Sequence, residues 1–302
     1  MSALKLALED KSRKVFTSEF PTIDGGGMEK VISAAQRLTP WFDAVNATDN
    51  PAAHAHTSNV ALAIAMKSQG LEPIMQIVCR DKNRLAIQSD MMGAALYGIE
   101  NLCLLTGDDV TAGDEPESKR VFDLDAPQAI NVAQALSKGQ YLSGRKITPA
   151  PSFYIGAVEN AGAPPFEYRV ERTLKKFRGG ARFLQLQICF HADRLESFCA
   201  GVASTVPEMH LLPTVILLKG ARGMNYMHEK VPGIDIPAEI IERVAKSSDP
   251  AEAAYQVVLE QSLHALAQPS VRGLHIVDFR HDESLERLMH DLGRAPRQKT
   301  GE

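Results

Sequence analysis

A (β/α)8 barrel is the fold this sequence predicts, on three observations. Eight short strand-like runs alternate with helical segments. Several runs are apolar nearly throughout, as parallel strands covered on both faces are. No linker divides the 302 residues, so a single domain over 1–302, with its core about 15–292, is expected. An open doubly wound sheet is the runner-up, because strand count alone does not prove closure.

The strand runs are VFTSEF (15–20), DAVNAT (43–48), PIMQIVC (73–79), NLCLLTG (101–107), FYIGAVE (153–159), FLQLQIC (183–189), PTVILL (213–218) and GLHIVDF (273–279). Between them the period changes. Leu85, Met92 and Leu96 fall on one helical face behind Asp81, a capping candidate. Phe166, Val170, Leu174 and Phe177 form a second stripe, ended by Gly179 and Gly180. Leu285, Leu288, Met289 and Leu292 form the last. The stretch 107–120 and the segment GARGMNYMHEKVPGID follow the fourth and seventh strands and read as long loops. In a barrel such loops lie at the C-terminal face, where active sites are built. The tail APRQKTGE reads as frayed.

Composition narrows the function classes. Hydrophobic residues make up 44% and charged residues 23%, with a formal net charge of −4. No overall basic field would draw nucleic acid or anionic lipid. The longest apolar runs are too short to span a bilayer, and the first residues lack a secretory apolar region. Cys79, Cys103, Cys189 and Cys199 are scattered without a CxxC pair, which fits a reducing cytoplasm. His54 and His56 read as a solvated pair rather than metal ligands, and no metal is expected.

Polar residues gather where the strands end. Glu19 closes the first strand; Thr48, Asp49 and Asn50 the second; Cys79, Arg80 and Asp81 the third; Asp108 and Asp109 the fourth. Glu159 and Asn160 follow the fifth, Gln187 lies late in the sixth, and Asp278 and Arg280 flank the end of the eighth. Plain readings stand beside these. Gly107-Asp108 also reads as an ordinary turn, Glu19 as a rim carboxylate, and Gln187 as an interior hydrogen-bond partner. The basic run Arg172, Lys175, Lys176, Arg178 reads as a solvated helix face. Neither a GxGxxG after the first strand nor a G-x-S-x-G elbow is present.

The segment VCRDKNRLAIQSDMMGAALYGIENLCLLTGDD, followed by VFDLD, resembles the core signature of the methylenetetrahydrofolate reductase family. LKKFRGGARFLQLQICF and VPGIDIPAEIIERV resemble two further family segments in the same order, so the likeness runs roughly over 15–292. It implies a (β/α)8 barrel and a reaction. NAD(P)H reduces bound FAD, which passes hydride to 5,10-methylenetetrahydrofolate and yields 5-methyltetrahydrofolate, or the reverse. It also implies a homo-oligomer and a place in one-carbon metabolism leading to methionine.

The resemblance assigns residues. Glu19 matches the proposed general acid on the folate, Asp108 the aspartate between flavin and folate, and Gln187 the glutamine on the pterin. Thr48 matches a flavin-contacting threonine and Lys176 a lysine near the flavin phosphate or ribose. Cys79, Arg80, Asp123 and Asn160 complete the expected cofactor set. These residue types suit the chemistry. Opening the imidazolidine ring creates an iminium cation and needs a proton on the departing nitrogen, which a carboxylic acid supplies. An ionised carboxylate stabilises the cation.

Some positions depart from the family pattern. The third strand has Gln76-Ile77-Val78-Cys79 where His-x-Thr-Cys is usual, and Leu186-Gln187 stands for Thr-Gln. His191 replaces an aspartate, and Arg169 and Arg172 replace residues near the flavin adenosine. Competing readings are therefore a flavin-free reductase taking hydride directly from NADH, a pterin-binding barrel of a methyl-transfer complex, and a noncatalytic subunit. Retention of Glu19 and Asp108 speaks against the last.

Overall fold

The computed structural model describes residues 2–231 and 233–297. The end of the tail read as frayed lies outside the described residues. The strands are β1 (Val15–Glu19), β2 (Ala44–Ala47), β3 (Pro73–Val78), β4 (Asn101–Leu105), β5 (Tyr154–Glu159), β6 (Phe183–Leu186), β7 (His210–Leu217) and β8 (Gly273–Asp278). They pair in sequence order and close into a barrel, so the open-sheet alternative falls away. Each predicted run contains or overlaps one strand, and β7 begins three residues before its run.

The intervening helices are α1 (Ala3–Glu9), α2 (Glu29–Leu38), α3 (Asn59–Ser68), α4 (Arg84–Leu96), α5 (Ala126–Ser137), α6 (Phe166–Gly179), α7 (Ala192–Thr205), α8 (Ala221–Lys230), α9 (Ala238–Ala245), α10 (Pro250–Ala267) and α11 (Ser284–Asp291). By packing, the chain falls into two compact units. One holds the residues up to Arg13 with Ser18–Val158 and Lys175–Phe183; the other holds Lys14–Thr17, Glu159–Leu174 and the residues from Leu184.

In the first unit the register aligns Asn46 with Ile74, Asn101 and Tyr154, and Gln76 with Cys103 and Gly156. Parallel strands in register put each row on one face of the sheet. Gly156 leaves room for a neighbour: a Cβ there would lie 2.2 Å from the Phe183 ring, which stacks on Tyr154 at 5.3 Å. In the second unit Thr214 pairs with His275.

Two helix readings are corrected. Asn83, not Asp81, caps α4, its side chain accepting from the Leu85 and Ala86 N–H groups. The face that α4 buries is Ile87, Met91 and Ala94, while Leu85 and Leu96 are exposed. Periodicity finds a stripe but does not say which stripe faces the core; at about 100° per residue these two are nearly opposite. The buried Ile87 and Met91 side chains each contribute about 1.5–3 kcal/mol.

On α6 the basic run is solvated at Lys175 and Arg178 but not at Lys176, which is 1% exposed. Thr173 is buried too, whereas Phe166, the first residue of the expected apolar stripe, is exposed. The segment after β7 is mostly helical rather than a loop, because α8 occupies Ala221–Lys230.

Candidate active site

In the first unit, Glu19 ends β1 half-buried, and the next residue, Phe20, donates its N–H to the Asn46 carbonyl at 3.0 Å. Thr48 and Asp49 follow β2 and are buried. Asp49 Oδ2 accepts from the Val78 N–H and from Lys82 Nζ, both at 2.9 Å. Burial pushes the Asp49 carboxyl up, against the pull of Lys82. Burial pulls Lys82 down, but Asp49 and Asp90 beside it more than restore it.

After β3, Arg80 is clamped. Its Nε and Nη2 donate to the two Asp81 oxygens at 2.7 Å each, and Nη2 also reaches the Asn50 carbonyl at 3.1 Å. Cys79 is buried, and burial raises its thiol to about 12, with the charges of Asp125 and Asp49 adding to the shift. A neutral thiol of that kind is not a nucleophile.

The turn after β4 separates its two carboxylates. Gly107 holds φ at +91°, and a Cβ there would meet Val78 Cγ1 at 2.4 Å. Only glycine satisfies both constraints. Asp109 accepts from Arg120 through both oxygens and from Thr111, and the Arg120 contact holds its carboxyl well below the usual range. Asp108 is exposed, and its carboxylate accepts no hydrogen bond among the described residues. Asp123, expected on the cofactor, instead accepts from the N–H, Nε and Nη2 of Arg84, each at 2.8 Å. Lys176 donates Nζ to the Val158 carbonyl at 2.5 Å.

In the second unit Glu159 ends β5 with its carboxylate buried between Arg169 Nη1 (3.3 Å) and Arg172 Nε (3.2 Å). Asn160 is a loop staple: Nδ2 donates to the Gly233 carbonyl and Oδ1 accepts from the Gly162 N–H, both at 2.9 Å. Gln187 donates its N–H to the Glu159 carbonyl at 2.8 Å, and its Oε1 accepts from the Ile188 N–H at 3.0 Å. Its side-chain amide N–H groups have no protein acceptor among the described residues.

Two groups here escaped the sequence reading. His275 Nδ1 lies 3.0 Å from Thr17 Oγ1 and 3.2 Å from Gln185 Nε2, all three residues buried. Thr17 and Gln185 precede Glu19 and Gln187 by two, so strand alternation was the available signal. Asp235 Oδ2 accepts from His191 Nε2 at 2.8 Å and Arg194 Nη1 at 3.0 Å. His54 and His56 bind the Ala52 carbonyl and Asp24, and no metal-competent cluster of His, Cys, Asp or Glu occurs among the described residues.

The donor set divides in its fit to a flavin dinucleotide. The Thr48 hydroxyl and the uncommitted Asp108 carboxylate suit hydrogen bonding to a ring system. A diphosphate asks for cations or free N–H groups. Lys176, Arg169 and Arg172 are already engaged by Val158 and Glu159.

No curated protein sequence matches the chain. Among solved structures it is similar to an uncharacterized protein from Clostridium thermocellum that binds two copies of 5-methyl-5,6,7,8-tetrahydrofolic acid, with TM-score 0.64 and 12% identity over 96% of this chain and 97% of that one. It is also similar to EDTA monooxygenase from Chelativorans sp. BNC1, with TM-score 0.52 and 10% identity over 93% and 92%. A long-chain alkane monooxygenase gives TM-score 0.53 and 10% identity over 96% and 94%. At such identities the likeness is one of fold. The family model for methylenetetrahydrofolate reductase matches residues 4–293, and the chain belongs to that family.

Proposed function

We propose that this chain, acting as one barrel domain, interconverts 5,10-methylenetetrahydrofolate and 5-methyltetrahydrofolate with NAD(P)H as the hydride source and FAD as carrier. The observation that carries the reading is the uncommitted Asp108 carboxylate, set beside an Asp109 fully committed to Arg120. In the family frame, a carboxylate left unfastened at this position meets the cationic folate intermediate.

Glu19 delivers the proton that opens the imidazolidine ring to the departing nitrogen. Asp108, ionised, lowers the energy of the iminium that forms. Gln187 offers its side-chain N–H groups to an acceptor on the pterin edge, its carbonyl oxygen being fixed by Ile188. Thr48 supplies a hydroxyl to the cofactor ring. FAD, when bound, supplies the hydride relay between nicotinamide and folate. A cytoplasmic setting, where the four free cysteines stay reduced, completes the proposal.

The departure at the third strand, Gln76-Ile77-Val78-Cys79 where the family's flavin-contacting histidine is usual, favours a second reading, direct hydride transfer from NADH to folate without flavin. One experiment tests both. Purified protein is assayed for NAD(P)H-dependent methylenetetrahydrofolate turnover, and its acid supernatant for released FAD. Turnover with stoichiometric FAD supports the first reading. Turnover by a flavin-free protein that gains nothing from added FAD supports the second, and no turnover in either direction overturns both.

A further inference from the structure

Helix α10 buries a stripe that includes Ala254, Val257, Val258 and Ala265. At helical spacing the stripe calls for one more apolar residue between Val258 and Ala265, and the chain places Gln261 there. Its Nε2 and Oε1 are shut off from solvent and have no hydrogen-bond partner among the described residues. An amide buried in this way costs free energy unless something pairs with it.

In the second unit, Gln261 lines a small cavity together with Gln187, Cys189, Thr214 and apolar neighbours. The cavity leaves about 10 Å³ for the centre of a water molecule, room for one and no more. A buried water needs about two to four polar partners, and this lining supplies them. Gln261 contributes a donor and an acceptor that nothing else uses. Gln187 contributes N–H groups. Its Oε1 is held by the Ile188 N–H at 3.0 Å, which fixes one end of the amide and leaves the other free to swing.

We infer that one buried water in this cavity joins Gln261 to Gln187, which makes Gln261 a positioning residue for the folate site. The inference rests on the proposed function, in which Gln187 meets the pterin. The water accepts from Gln261 Nε2 and from one N–H of Gln187, and it donates to Gln261 Oε1. Such a bridge holds nearly as well as a direct hydrogen bond. With its carbonyl on Ile188 and one N–H on the water, the Gln187 amide is fixed at two points. Its second N–H is left for the pterin and is aimed before the substrate arrives.

A crystal structure of the wild type and a double-mutant cycle on folate affinity test this. The map is expected to show one water within hydrogen-bond distance of both glutamine side chains. Calorimetric titration with 5-methyltetrahydrofolate reads the cycle. Gln261→Met keeps the length of the side chain and removes both polar atoms, and it is expected to weaken binding about 3–10-fold. Gln187→Met is expected to weaken it about 10-fold or more, and the double variant to stay within about twofold of Gln187→Met alone. The losses do not multiply because the effect of Gln261 passes through Gln187, whereas a merely structural role would multiply them. Should Gln261→Met fail to fold, Gln261→Leu takes its place in the cycle. A dry cavity, an unchanged affinity in the Gln261 variant, or multiplied losses overturns the inference. A wild type that binds no folate overturns the proposed function instead, and the map still decides the water.

Discussion

Arg120 grips Asp109 through two nitrogens, Nε to Oδ2 at 2.5 Å and Nη2 to Oδ1 at 2.7 Å, and so divides one Asp-Asp turn into a fastened carboxylate and an uncommitted one. The fastened one holds the stretch after β4 in place. The uncommitted Asp108 is the one available to a ligand.

Substitution separates these roles. Asp108→Asn keeps the shape and removes the charge, so folate turnover is expected to drop about 10²-fold, roughly 2.7 kcal/mol of electrostatic stabilisation. Asp109→Asn is expected to leave the chemical step near wild type and to loosen the loop. Single-turnover folate kinetics check the first and limited proteolysis of the 107–120 stretch the second. A reversed pattern would assign the ligand role to Asp109.

Lys176 offers a second test. As a nucleotide contact, it would matter to affinity. As built, its ammonium satisfies the carbonyl of partly buried Val158 near the end of β5. Lys176→Met is expected to destabilise the fold by about 1 kcal/mol, the scale of one hydrogen bond to a charged donor at a partly buried acceptor. Lys176→Gln, which still offers N–H, should recover part of it. Urea unfolding measures both, and a stable Met variant with weakened FAD or NAD(P)H binding would return Lys176 to the cofactor.

The barrel was legible because burial of parallel strands on both faces leaves an apolar run that few other elements share. What was not legible depended on partners far away in sequence. Leu85, Met92 and Leu96 have the spacing of a core stripe, yet Ile87, Met91 and Ala94 on the opposite side are the residues buried. Within the run Arg172 to Arg178, Lys175 and Arg178 are solvated as read, but Arg172 and Lys176 are not, because their acceptors, Glu159 and Val158, lie before the helix on another element. Asp123 and Asn160 fall on motif positions and also fasten neighbouring segments, through Arg84 and the Gly233 carbonyl. Glu19, Asp108 and Gln187 stand out at strand ends by pattern, and their proposed roles rest on family likeness.

Acid stability has a definite sign at Glu252. Arg287 donates to both its oxygens, at 2.6 and 2.8 Å, and holds its carboxyl down to about 2, from an ordinary 4.5. A carboxyl depressed by folding stabilises above its unfolded pKa, and that stabilisation is lost as pH falls through the folded value. The window here runs from 4.5 down to about 2. Arg287→Gln is expected to lower the melting temperature at neutral pH and to flatten its decline across that window. Because Arg287 also lies over the Tyr255 ring, the flattened slope, not the lower midpoint, is the diagnostic readout from thermal melts. A slope identical to wild type would show that this pair does not set the acid limb.

Glu19 separates proton delivery from every earlier step. If it is the acid on the folate, it has no task when NAD(P)H delivers hydride to the carrier. Glu19→Gln is nearly the same shape and hydrogen-bonds as an amide, but it cannot surrender a proton to the departing nitrogen. The variant is therefore expected to accept hydride from NAD(P)H at close to the wild-type rate. Folate reduction is expected to slow by about 10²–10⁴-fold, the range of a positioned general acid. If FAD is present, stopped-flow absorbance reports the two halves separately. If it is absent, folate binding measured by fluorescence quenching serves as the unaffected reference, since loss of the proton donor lowers kcat more than it raises KM. Equal losses in both halves, or a variant that no longer binds folate, would make Glu19 a positioning residue and move the acid role elsewhere.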